Sequence, residues 1–72
     1  MATVKIIELI GSSPASWQDA VETALKEASK TIRDIKGLDV VNQTAVVRNG
    51  VIEEYRVDLK LSFLVDESRE EA

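Results

Sequence analysis

Residues 38–65, LDVVNQTAVVRNGVIEEYRVDLKLSFLV, decide the fold. Asn49-Gly50 lies within this segment, and Asn-Gly is the strongest two-residue hairpin signal because both central positions of a type I′ turn need φ > 0. The flanks predict strands over 38–48 and 51–65. In the second strand, Tyr55, Val57, Leu59, Leu61, Phe63 and Val65 fall on one face, and Glu54, Arg56, Asp58, Lys60 and Ser62 on the other. That alternation marks a half-buried strand. With Arg48 facing Val51, counting back pairs Thr44 with Tyr55, Asn42 with Val57 and Val40 with Leu59 on the apolar face. On the polar face the same count pairs Gln43 with Arg56 and Asp39 with Lys60. The opposite charges of Asp39 and Lys60 favour that register.

Upstream, Trp17, Val21, Ala24, Leu25, Ala28, Ile32 and Ile35 recur at steps of three and four, which puts them on one face of a helix. The helix is predicted over 14–35, about 33 Å long. Ser13 suits its N-cap, and Pro14 suits the first helical position, where a missing N–H is no loss. Asp19 and Glu22 lie early, and Lys30, Arg33 and Lys36 late, an order that favours the helix dipole. Glu22 and Lys26 form a favourable i,i+4 pair. Gly37 is placed to end the helix with φ > 0. Residues 3–10, TVKIIELI, predict a first strand, broken by Gly11-Ser12-Ser13-Pro14.

The resulting class is α+β. The order is βαββ, with a three-stranded antiparallel-type sheet, order 1-3-2, wrapped on one long helix. Strands one and two then run parallel to each other on either side of strand three. The helix covers one sheet face. The other face carries Val41, Ala45, Val47 and Ile52 among charges, and is left to solvent or to other copies. The domain is predicted over 1–66, with a disordered acidic tail over 67–72, which has no apolar anchor.

Seventy-two residues make one domain. A folded monomer of this mass would expose about 4,400 Å², against roughly 11,500 Å² for the extended chain. If about 60% of the difference is apolar, burial contributes on the order of 105 kcal/mol. Ordering the chain costs about 1.5 kcal/mol per residue, nearly the same sum. The chain has no Cys and no His, so neither a disulfide nor a histidine-bound metal stabilises it. Oligomerisation is the remaining common aid. The lack of Cys suits a reducing compartment. No basic-then-apolar leader opens the chain, and the expected location is cytoplasmic. A net charge of −4 disfavours nucleic acid and anionic membrane as partners.

Catalysis is not expected. No thiol or imidazole is available, and no general base stands near the serines. Metal chemistry would rest on carboxylates. Glu53, Glu54 and Asp58 lie along the last strand, and Glu67, Glu70 and Glu71 cluster in the tail. No EF-hand loop is present. A calcium site would form where copies of the chain pool carboxylates; otherwise these are solvated charges. Trp17 lies on the apolar stripe near the helix start, where packing is the expected role and ligand stacking the alternative.

With this layout in hand, the chain resembles the dodecins up to about Asp66. The resemblance is carried by ELIGSSPASW at residues 8–17, ALKEASKTIRDI at 24–35 and EYRVDLKLSF at 54–63. It implies a small βαββ subunit of a hollow homododecamer that binds or stores a small molecule or cation without catalysis. Many dodecins bind flavins such as riboflavin and FMN. The ring stacks on a Trp just after the helix, and a Gln on the last strand holds its edge. Gly37 stands at the first position here and Arg56 at the second. The SPASW stretch is similar to a flavin-lacking branch in which cations, calcium among them, are bound. Flavin sequestration is the alternative function.

Overall fold

A computed structural model describes residues 3–65, in the order β1 (Thr3–Ser13), α1 (Trp17–Ala28), β2 (Ile35–Arg48) and β3 (Val51–Val65). The sheet order is β1-β3-β2, and both outer strands are antiparallel to β3. The expected 1-3-2 order is therefore present, with β1 and β2 running the same way. The expected tail, 67–72, and the domain end at residue 66 lie outside the described residues.

The hairpin turn forms where the sequence places it. Asn49 has φ 54° and Gly50 φ 76°, the left-handed pair a type I′ turn requires. Arg48 faces Val51, Val40 faces Leu59 and Asp39 faces Lys60, as expected. Between these ends the register slips by one. Glu53 is an extra residue between the pairs Val46–Glu54 and Val47–Ile52, and Val41 is the extra residue that restores register before Val40–Leu59. Tyr55 thus faces Ala45, Val57 faces Gln43, and Arg56 faces Thr44, instead of Thr44, Asn42 and Gln43. Two bulges on opposite strands bend a long ribbon while leaving its ends in step. A slip of one residue moves a side chain to the other sheet face, so Ala45, Val47 and the Ile52 that pairs with Val47 lie on the helix side, not on the open one.

The helix is shorter than expected: it runs Trp17–Ala28 and not 14–35. Its N-cap is Ser16, not Ser13; the Ser16 Oγ accepts from the Asp19 N–H at 2.9 Å. Ser13 remains in β1, buried. Its hydroxyl accepts from the Ala15 N–H at 2.9 Å and donates to Asp19 Oδ2 at 2.6 Å, tying the strand end to the first helical turn. At the other end, Thr31 N–H and Ile32 N–H both bond to the Ala28 carbonyl, and Asp34 reverses the chain with φ 60°. Two β-branched residues, Thr31 and Ile32, are poor continuations of a helix. Gly37 is accordingly not a helix cap: it lies inside β2, and Gly50 is the glycine with positive φ among the described residues. Lys30, Arg33 and Lys36 follow the helix and do not belong to it. The expected Glu22–Lys26 pair gives way to Gln18–Glu22 at 3.1 Å and Lys30–Glu27 at 2.8 Å.

The core lies between α1 and the apolar face of β3. Val57, Leu59 and Leu61 are fully buried against Ala20 and Ala24, with Ile7, Leu9, Trp17, Val21, Leu25, Ile35 and Leu38 packed around them. Gly11 permits this closeness. A Cβ there would stand 2.5 Å from the Ala20 carbonyl oxygen and 2.8 Å from the Ala24 Cβ. The opposite sheet face stays uncovered. On it Val4, Ile6 and Ile10 remain 58%, 57% and 68% exposed. Past the Ser13–Tyr55 pair, where β1 ends, the β2–β3 ribbon continues as two strands alone.

Candidate functional site

Gly37 lines an open cavity of about 700 Å³ between the end of α1 and the start of β2. Leu25, Ile32, Ile35 and Leu38 supply its apolar walls, and Arg33 and Lys36 its cationic rim. β2 begins at Ile35, opposite Phe63, and skips Lys36 before Gly37 meets Ser62. The Ser62 hydroxyl donates to the Gly37 carbonyl at 3.3 Å. A side chain at position 37 would find the Ser62 Oγ 3.2 Å from its Cβ and no other heavy atom within 4 Å. That hydroxyl can rotate. Ser62 pairs with the exposed Ile6 on the open face of the sheet, so a side chain at residue 37 would rise from that face, where the structure leaves room for it, and not into the cavity.

Arg56 lies elsewhere. It sits between Ser12 and Thr44 on β3, half-exposed, with its guanidinium 3.5 Å from Glu54. Arg56 and the Ser62 that faces Gly37 are six residues apart on one strand, about 20 Å at the strand rise. One chain does not bring the two positions together. Neither position offers, within one subunit, the stacking surface and neutral amide that a flavin would use. Sequence reading missed the cavity's apolar wall because it placed Ile32 and Ile35 on the helix; the run from Ile35 to Val41 carries the strand signal that would have found it.

Trp17 packs, as expected. Its ring meets Tyr55 edge to face with centroids 4.9 Å apart, and its Nε1–H donates to the Thr44 carbonyl at 2.8 Å. It lies at the far end of the sheet from Gly37. The carboxylates of the last strand disperse. Glu53 pairs with Arg48 at 3.1 Å, and Glu54 with Arg56. Among the described residues, no group of three or more Asp, Glu, His or Cys side chains could hold a metal ion. One subunit's described residues therefore do not fit calcium. Glu67, Glu70 and Glu71 lie outside them. Among the described residues no helix is long and apolar enough to cross a membrane.

Comparison with known proteins gives a consistent kinship. The dodecin family model matches residues 3–66. Calcium dodecin of Mycobacterium tuberculosis is 35% identical over 63 residues, covering 88% of this chain and 89% of that protein. Dodecin of Thermus thermophilus is 30% identical over 64 residues, covering 89% and 93%. Among solved structures, dodecin from Streptomyces coelicolor superposes with a TM-score of 0.88 at 30% identity, over 92% of this chain and 94% of that one. The crystal structure of the M. tuberculosis calcium dodecin, described as calcium chelating with a novel calcium-binding site, gives a TM-score of 0.79 at 36% identity over 92% and 94%. With its β-α-β-β order and β1-β3-β2 sheet, this chain belongs to the dodecin family.

Proposed function

We propose that the chain is the subunit of a hollow homododecamer that binds and stores a small ligand or cation, calcium foremost, and performs no catalysis. The observation that carries this reading is an incomplete subunit. One sheet face is bare, with Val4, Ile6 and Ile10 exposed on it. The end of the ribbon projects without a third strand or a helix, and a two-stranded hairpin is marginal on its own. Copies of the same chain are the partners that would complete both surfaces. Calcium is favoured by the kinship to calcium dodecin. Because one chain's described carboxylates do not cluster, the ion would be held by oxygens from more than one copy, the ligand set Ca²⁺ prefers. Nucleic acid and membrane are not partners on this reading, and the particle works in the cytoplasm.

Flavin sequestration is the second reading. The cavity beside Gly37 supports it by its apolar wall. Calorimetric titration of the purified particle with calcium chloride, alongside quenching of riboflavin fluorescence, separates the two. Stoichiometric calcium binding with no quenching is expected. Sub-micromolar quenching by the wild-type protein would reverse the order of the readings.

A further inference from the structure

Two carboxyl groups meet on the open face of the sheet. Glu8 faces Lys60 across the β1–β3 pair, and Ile10 faces Asp58, so Glu8 and Asp58 are diagonal neighbours on one face, within reach of each other. Asp58 is half-buried, and its Oδ1 is shielded from water with no hydrogen-bond donor. A buried acceptor left without a donor is destabilising. The nearby groups on this face do not supply one. Arg56 leans on Glu54 at 3.5 Å; Lys60 lies between Glu8 and Asp39. Asn42, opposite Asp58 on β2, turns its Oδ1 to the Gln43 N–H at 3.0 Å. The helix packs on the other face and contributes no charge here. A carboxyl that keeps its proton is a donor; Glu8 is the one in place.

We propose that Glu8 and Asp58 form a carboxyl–carboxylate pair that holds one proton and ties β1 to β3, so that this junction loosens when the proton leaves. The hydrogen bond with Asp58 raises the Glu8 carboxyl above the usual glutamate range; the Asp58 charge adds to the shift, and Lys60 opposes it. A carboxyl raised in the folded state stabilises the fold below its unfolded value, and that stabilisation is lost as pH rises through the folded value. Stability should therefore fall as pH climbs from the ordinary glutamate value through the raised one.

Difference infrared spectroscopy of the intact protein across a pH titration tests the pair. The expected result is a protonated-carboxyl stretch that persists above the ordinary glutamate range. It should be absent in Glu8→Gln and return to the ordinary range in Asp58→Asn. Glu8→Gln keeps a donor toward Asp58 and should flatten the pH dependence of the unfolding midpoint. A Glu8 band confined to the ordinary range, or a raised band that survives Asp58→Asn, overturns the proposal. So does a pair that shows no raised proton step but shifts on addition of calcium chloride, which would make it a cation site.

Discussion

Two glycines mark opposite uses of a missing side chain. Gly11 is required by contact: its absent Cβ is what lets β1 lie against the Ala20 carbonyl. Backbone cannot rotate aside, so Gly11→Ala should destabilise the protein by about 1–3 kcal/mol, the range for overpacking a tight core. Chemical denaturation measures this; an unchanged midpoint would mean that the strand and helix separate freely. Gly37 is not required by conformation or by space, since it has no positive φ and faces only a rotatable Ser62 hydroxyl. Gly37→Trp should therefore fold and should restore a stacking surface. Riboflavin affinity is expected to rise at least tenfold, about 1.4 kcal/mol, with Arg56→Gln adding less. Equal quenching by variant and wild type would show that position 37 does not touch the ring. The roles of these two glycines could not be told apart by sequence spacing. Gly11 reads as a strand breaker and Gly37 as a helix cap, yet both lie within strands.

At the scale of elements, the hairpin was legible and the helix end was not. Asn49-Gly50 and the alternation from Tyr55 to Val65 each point to one structure. Gly50→Val should destabilise the turn by about 1–2 kcal/mol, the cost of forcing a side chain into the left-handed region. Thermal unfolding would show it, and an unshifted midpoint would contradict the turn. Ile32 and Ile35 satisfy a helical step of three, but Ile35 pairs with Phe63, and the extra residue Lys36 brings Leu38 to the same face opposite Leu61. Tertiary pairing decided for the strand, with Asp34 as the reversal. The bulges at Val41 and Glu53 leave no mark in the hydrophobic pattern, because they cancel at the ends of the ribbon. Their effect is local: Ala45 reaches Tyr55, and Trp17 reaches the Thr44 carbonyl. The candidate site suffered most from these shifts. Gly37 and Arg56 were marked by resemblance alone, and their separation along β3 depends on where β2 begins.

For the whole molecule, shape and composition agree. The described residues extend 59 × 20 × 12 Å, far from a sphere, and their buried apolar core is drawn from Ala20, Ala24, Val57, Leu59 and Leu61. So slender a body leaves exposed Val47, Val51 and Ile52 on the ribbon as well as Val4, Ile6 and Ile10 on the sheet. Monomers rarely keep large apolar patches in water. Burying these residues between copies would give the homododecamer proposed above. Everything proposed for storage rests on that assembly. Light scattering coupled to size exclusion at micromolar concentration tests it most directly. The account predicts a single species with the mass of twelve chains; a stable, folded monomer would contradict it.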